Sequence, residues 1–326
     1  METNFLIQTL ASIVAASTPV VLASIGETIS EKSGVINLSL DGSIALSAMT
    51  GFAVAFTTGS VTLGMLAAMA VGALVALIIA FASITLRQEQ VAVGFVLTML
   101  CIELADFLGN PFVRRPGPSV SHAPIPYLSD IPILGPVLFN HNLIVYLSIL
   151  SVVLAWWWTH KTQPGLKLQG VGERPESAFA RGVNVHRLRF VYTVIGGALV
   201  GLAGASYSLS IKLGWSHRHT SGIGWIALAI VIFGGWSPWR VAVGCYLFGL
   251  LKALGSILQR NSAFVNVPTQ IFSSAPFALM IFALLLLNSE GVDRLLALLP
   301  PRVARQLDRA IRGRSPGGLG QSFIQE

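Results

Sequence analysis

Nine runs of mostly apolar residues, separated by short polar stretches, leave this chain little sequence from which to build a soluble core. A bilayer's hydrocarbon core is about 30 Å thick, and about 20 apolar residues in a helix cross it. The runs fall at 5–25, 43–57, 61–85, 91–108, 142–158, 190–210, 222–235, 240–258 and 269–288. They predict an all-α, polytopic transmembrane helical bundle of about nine spans. Only 11% of the 326 residues are charged, against about 25% in soluble domains. The 32 glycines fit packed membrane helices, where small residues let backbones approach closely. Residues 1–4 carry no Lys or Arg, and the apolar run behind them is long. The first run therefore reads as a retained span rather than a cleaved signal.

Lys and Arg in the loops set the orientation. Fifteen lie on the side of loop 160–189: Lys32, Arg87, Arg240, six within 161–189 and six within 294–314. Five lie opposite, at Arg114, Arg115, Lys212, Arg218 and Arg260. The excess places the C-terminus in the cytoplasm and the N-terminus outside. The net charge of +7 thus belongs to loops between spans and implies no nucleic acid. Tryptophans 156–158, 215, 225, 236 and 239 all fall at span boundaries, as interfacial belts do. The division is a transmembrane domain over 1–290, with a cytoplasmic loop 160–189 and an outer loop 109–141, and a basic cytoplasmic tail over 291–326. Seven prolines in the outer loop exclude a long helix there. It is a stiff external segment, either a docking surface or an inert connector. The end of the tail, RGRSPGGLGQSFIQE (312–326), has few bulky apolar residues and reads as disordered.

Two runs, 43–57 and 222–235, are short and flanked by GVINLSLDGS (34–43) and GWSHRHTSGIG (214–224). Short, Gly-interrupted spans in both halves of a chain point to a translocation path, unless these are merely kinked helices. Loop 160–189 carries a helix signal of its own. Pro175 suits a first turn, Glu176 the positive end and Arg181 the negative end, and Gly182 a left-handed cap. A two-turn helix over 175–181, about 10 Å long, is expected, with Ala178 and Phe179 as its apolar spot. It is either a plug for a partner's groove or a solvated connector. In the span behind it, Gly197 and Gly201 form GxxxG, the mark of a close helix crossing. No strand precedes them, so they are not a nucleotide-binding loop.

Gly172, Glu173, Pro175, Ala178 and Gly182, with Val183 in place of Ile, resemble the coupling segment of bacterial ABC-importer permeases, Gly-Glu-Asn-Pro-x-Ala-Ala-x-x-Ala-Gly-Ile. Arg174, Ser177 and Arg181 depart from the Asn, Ala and Ala of that pattern. Glu31, Lys32, Gly34, Val35, Asn37, Asp41 and Gly42 in SEKSGVINLSLDG (30–42) fit the branch that moves ribose-type sugars, nucleosides and branched-chain amino acids. The resemblance runs from about 20 to 290 and is nearest to nucleoside and simple-sugar permeases. It implies a multi-pass permease subunit of the bacterial inner (plasma) membrane. ABC ATPase subunits would drive it through Gly172, Glu173, Pro175, Ala178, Phe179, Arg181 and Gly182. The other partners implied are a second permease subunit, as a different chain or a second copy, and an extracytoplasmic solute-binding protein. No cofactor and no catalytic residue are expected in this chain, which has no GxxxxGK[ST].

Polar residues at membrane depth are candidates for the path. Asn37, Ser39 and Asp41 alternate with Ile36, Leu38 and Leu40. If that stretch is unwound, its backbone must face protein or water. Asp41 suits a ligand hydroxyl, the N–H groups of a neighbouring helix, or an N-cap near Ser43. Glu103 and Asp106 share a helical face near an outer end, toward a vestibule, a ligand, a proton or a neighbour. Lys252 lies inside a span, where it snorkels or pairs. The alternative function is an ion-coupled secondary transporter of a small polar solute, with Asp41, Glu103, Asp106 or Lys252 as its coupling charge. Cys101 and Cys245 are small buried hydrophobes. His217 and His219 are too few for a metal site, and no hydrolytic constellation is visible.

Overall fold

The computed structural model describes residues 2–259 and 313–323, with a few single positions between them. The run expected at 269–288 and the basic stretch 294–312 lie outside the described residues but for such single positions. Ten α-helices follow in order: α1 (Glu2–Lys32), α2 (Leu40–Thr58), α3 (Val61–Ala80), α4 (Gln90–Gly109), α5 (Leu143–Lys161), α6 (Gln163–Glu173), α7 (Pro175–Ala180), α8 (Val185–Ser206), α9 (Ile223–Phe233) and α10 (Pro238–Gln259). Single π-helical turns extend α3 over Phe81–Thr85 and α8 over Tyr207–Ile211. Among the described residues there is no strand, only two isolated bridges. Among the described residues seven helices are long and apolar enough to cross a membrane, and the fold is a polytopic helical bundle.

Local chemistry sets many of the helix starts. Ser60, Glu89, Asn142, Thr162 and Asn184 each accept a backbone N–H of the first turn of α3, α4, α5, α6 and α8, satisfying donors that a helix start leaves free. α9 is different. Its 11 residues rise about 16 Å, half a bilayer, and it has no cap of its own.

The interior is organised by α8, which packs on α1, α2 and α3. Its small residues permit this on two faces. A side chain at Gly196 would stand 2.5 Å from the Gly26 carbonyl oxygen of α1, and one at Gly197 would stand 2.6 Å from the Gly72 oxygen of α3. Gly201 meets Ala68 in the same way. The GxxxG pair therefore makes the close crossing its spacing predicts. Around these contacts lie Leu22, Ile25, Leu40, Ile44, Phe52 and Ile230, all fully buried.

The structure departs from the sequence reading in four places. α1 continues through Gly26–Lys32, which reads as loop, because Glu27 and Glu31 find buried partners. α2 is a full 19-residue helix rather than a short one. Trp215 and Trp236 are buried rather than interfacial: Trp215 packs on Gly109 and edge-on to His219, and Trp236 donates its indole N–H to Glu31. The tail segment 313–323, expected to be disordered, packs against the body of the protein.

The connections gather at two ends. Residues 33–37, 172–175, 234–237 and 313–323 meet at one, through contacts of the tail with Gly34, Gly172 and Gly235. Segments 110–123, 139–142 and 209–218 meet at the other, through Arg114 N–H to Trp215 O, Val120 N–H to Leu209 O and Ala123 N–H to His141 O, each 3.0 Å. Loop 109–141 contains no long helix, only one 3-10 turn and one π turn.

Candidate functional site

Between α1 and α2 the chain is unwound over Gly34–Ser39, yet Asn37 and Ser39 are buried. Backbone groups freed in an apolar interior need partners, and here side chains supply them. Ile36 N–H donates to Gln90 Oε1 at 2.8 Å, and Asn37 N–H to Glu27 Oε1 at 2.9 Å. Ser39 N–H donates to Asn37 Oδ1 at 3.0 Å. Thr98 Oγ1 donates to Leu38 O at 2.8 Å, and Ser30 Oγ to Val35 O at 3.1 Å. Asn37 and Ser39 thus belong to a buried knot that holds the non-helical segment in place. Glu27, Gln90 and Thr98 complete it. Their partners lie 10, 54 and 60 residues away, so no local motif announces them.

The segment delivers Asp41 to the start of α9. Asp41 Oδ1 accepts from Gly224 N–H at 2.9 Å, and Oδ2 from Gly222 N–H at 3.2 Å. Of the three roles open to Asp41 in the sequence, the structure selects the neighbouring helix: it is the cap that α9 lacks, supplied from another helix. A carboxylate also complements the positive end of the helix dipole. The close approach requires Gly224, where a Cβ would stand 2.2 Å from Asp41 N.

Above Asp41 opens a cleft of about 330 Å³ lined by Asp41, Ala45, Met99, Ile102, Glu103, Asp106, Arg218, Thr220 and Ser221. Glu103 and Asp106 do share a face, and both reach the loop before α9. Arg218 Nη2 lies 3.2 Å from Glu103 Oε1 and its Nε 3.7 Å from Asp106 Oδ2. His217 Nδ1 lies 3.3 Å from Asp106 Oδ1. Arg218 sits at φ +53°, a region that non-glycine residues rarely occupy. His219 turns the other way, stacked on Tyr207 and edge-on to Trp215, with ring centroids 5.3 and 4.6 Å apart. Burial pushes its imidazole below the ordinary histidine range. The structure therefore brings Asp41 and Glu103 to one cleft, while Asn37 and Ser39 stand outside its lining. Thr220, Ser221 and Arg218 join it without having been singled out as path residues. Lys252 lines a separate cleft of about 310 Å³ with Ser17 and Lys212. Among the described residues no cluster of His, Cys, Asp and Glu is placed to hold a metal ion.

At the opposite end, α6 and α7 form a compact projection. α7 begins at Pro175 and ends before Gly182, whose φ is +79°, the left-handed stop that its sequence predicts. Gly172 fits against the end of α1, where a Cβ would stand 2.1 Å from Lys32 O. Glu173 Oε2 accepts the Gly317 N–H at 3.2 Å. Ala178 and Phe179 divide the apolar spot between two sides. Ala178 is buried with Val171, Val185 and Phe323, whereas Phe179 is 38% exposed. Beside them a groove of about 460 Å³ carries Lys167, Arg174, Ser177 and Arg181. The projection thus presents one aromatic ring and three basic side chains outward.

Residues 9–284 match the family described as branched-chain amino acid transport system / permease component. The chain is 38% identical over 245 residues to the putative glucose ABC transporter permease protein TsgC13 of Haloferax volcanii, 74% of each chain. It is 34% identical over 297 residues to the guanosine ABC transporter permease protein NupQ of Bacillus subtilis, covering 86% of this chain and 92% of that one. It is 31% identical over 293 residues to the nucleoside ABC transporter permease protein NupC of Lactococcus lactis, with the same coverage. No solved structure matches the chain.

Proposed function

The chain belongs to the branched-chain amino acid transport system permease family, as a multi-pass, non-enzymatic membrane subunit of an ABC transporter, and on that premise we propose that it carries a nucleoside or simple sugar inward across the bacterial inner membrane. Permeases of this family work with ATPase and solute-binding partners. The proposed arrangement pairs this chain with a second permease, which is a different chain or a second copy. An ATPase subunit receives α7 in a groove, through Phe179 and Arg181. A solute-binding protein docks on the end that carries Arg114, Arg218 and the outer loop, and that end faces outward. The projection of α6 and α7 faces the cytoplasm, in keeping with the basic residues on its side. No cofactor in this chain is needed for the cycle.

The observation that carries the solute class is the make-up of the cleft above Asp41. Among the described residues that line it, the one cation is Arg218, and Glu103 and Asp106 already engage it. An amino-acid solute's carboxylate is held by a cation or by free N–H groups at a helix start, and at the start of α9 Asp41 already takes the Gly222 and Gly224 N–H groups. The hydroxyls of Thr220 and Ser221 and the carboxylate of Glu103 suit a neutral solute rich in hydroxyls. The glucose, guanosine and nucleoside relatives point the same way. No observation favours the ion-coupled alternative.

The test is uptake into proteoliposomes that hold the chain with its ATPase and second permease, supplied with binding protein and labelled guanosine, adenosine, glucose or leucine. ATP-dependent accumulation of a nucleoside or of glucose is expected. Accumulation of leucine alone overturns the assignment.

A further inference from the structure

The tail segment 313–323 touches every part of the end that carries α7. Gly318 N–H donates to Gly172 O at 2.7 Å, and Gly317 N–H to Glu173 Oε2 at 3.2 Å. Gly320 N–H donates to Gly34 O at 3.1 Å, at the foot of the unwound segment. Gly313 lies so close to Gly235, between α9 and α10, that a Cβ would stand 2.0 Å from its Cα. Phe323 is buried among Val171, Ala178 and Val185, with its ring 5.7 Å from that of Phe179 and 5.5 Å from that of His186. Arg189, almost wholly buried at the start of α8, spends its guanidinium on this segment. Its Nη1 donates to Gln321 O at 2.8 Å and its Nη2 to Gly318 O at 3.4 Å.

These contacts are a built arrangement. A six-residue helix does not hold its shape alone, because nucleation costs more than one turn returns. α7 is therefore fixed by what covers Ala178, and that cover includes Phe323. A guanidinium buried beside α8 needs acceptors, and tail carbonyls supply them for its two Nη groups, while its Nε has none among the described residues. Five of the eleven residues in 313–323 are Gly or Pro in GRSPGG and LG; bulkier residues would not fit against Gly172 and Gly235. The same tail thus grips α7 at one end and the foot of Gly34–Ser39 in its middle.

We propose that residues 313–323 form a transmission strap, with Phe323 and Arg189 as its positioning residues, through which displacement of α7 reaches the unwound segment and so Asp41. This deepens the reading of α7 as the ATPase-coupling helix and rests on it. Gly172 seats α6 directly on α1, but among the described residues the contact that covers α7 and continues to Gly34 is the strap.

The experiment measures solute transported per ATP hydrolysed in proteoliposomes of the assembled complex, together with the amount of ATPase that co-purifies. Phe323→Ala is expected to lower the transport-to-ATP ratio at least five-fold with ATPase capture unchanged, and Phe323→Leu to restore most of it. Gly320→Pro, which removes the N–H donated to Gly34 and whose ring cannot take the φ of +73° that Gly320 has, so that the strap's backbone is broken there, is expected to do the same. The double variant should be no worse than either single one, since breaking a serial link once suffices. A chain ending at Arg312 should be uncoupled as well; if it fails to insert, the two point variants decide. A ratio unchanged in Phe323→Ala overturns the proposal, and so does loss of ATPase capture in that variant, which makes the strap a docking element. Phe179→Glu serves as the control on the underlying reading. If it leaves both capture and ratio intact, α7 is not the coupling helix, whatever the strap variants do.

Discussion

Asp41→Ala separates a structural anchor from a solute ligand. In the structure both carboxylate oxygens are engaged, by Gly224 N–H at 2.9 Å and Gly222 N–H at 3.2 Å. Alanine leaves two backbone donors at the start of α9 without acceptors, and each unsatisfied buried group costs about 1–3 kcal/mol. The Gly222 bond is longer and only part-buried, so water recovers some of its share. The expected loss for Asp41→Ala is about 2–4 kcal/mol. Asp41→Asn keeps one acceptor oxygen but loses the charge that faces the helix dipole, and it should lose about 1–2 kcal/mol. Denaturant unfolding of the detergent-purified chain measures the order wild type, Asn, Ala. Limited proteolysis of 214–222 reports locally on whether α9 has come loose. If Asp41→Ala unfolds with wild-type stability while solute affinity collapses, Asp41 is a ligand and the anchoring argument is wrong. Equal losses for Asn and Ala refute the reckoning by hydrogen bonds.

Four further outcomes are expected. Gly196→Ala forces a methyl to within 2.5 Å of Gly26 O, and this overpacking should cost about 1–3 kcal/mol, read as lower yield of folded chain in detergent. Glu103→Gln breaks an ion pair with Arg218 whose side chains are 70% and 68% exposed, so stability should change by about 1 kcal/mol at most, while KM for uptake shifts if the cleft is the solute's path. Ala178→Asp puts a charge into the cluster of Val171, Val185 and Phe323 and should expose 162–184 to protease, whereas Phe179→Glu should leave that region protected. His219 has its pKa lowered by burial, so the unfolded chain, titrating near 6.5, binds the proton first. Stability is therefore full above about pH 6.5 and falls as the pH drops toward the folded value, and His219→Phe should flatten that fall in unfolding curves taken between pH 7.5 and 5.5.

What could be read from the sequence was local or periodic. The span pattern rests on apolar run length, and the described helices follow it. The helix α7 was legible because Pro175, Glu176 and Gly182 each state a backbone preference within one short stretch. The crossing at Gly197 and Gly201 was legible because spacing alone sets it. What stayed hidden depends on partners far away in the chain. GETISEK (26–32) looks like loop until Asn37 N–H and Trp236 Nε1 are found to satisfy Glu27 and Glu31. α6, with Gly165, Gly170 and Gly172, has poor helix propensity, and it forms because Thr162 caps it and Gly172 must approach Lys32. The glycines of 313–320 read as disorder, although close approach to Gly172 and Gly235 is what they make possible. Trp215 and Trp236 followed the statistics of interfacial tryptophan but were drawn inward by His219 and Glu31.

The two kinds of contact in the bundle divide its labour. α1, α3 and α8 meet backbone to backbone through Gly26, Gly72, Gly196, Gly197 and Gly201. Such interfaces leave little side-chain volume to re-pack, so they resist relative sliding. Gly34–Ser39, α4 and the start of α9 also meet closely, at Gly94 and Gly224, but there side-chain hydrogen bonds from Glu27, Gln90, Thr98 and Asp41 are added. A non-helical segment held this way has no i→i−4 ladder to break, and its partners sit on two different helices, α1 and α4. A shift of α1 relative to α4 would act on these bonds, and Asp41 links the segment to α9 and the floor of the cleft. Asp41 stands seven residues from Gly34, where the tail is bonded. That short distance places the polar seam, rather than the glycine-packed block, between the α7 projection and the cleft.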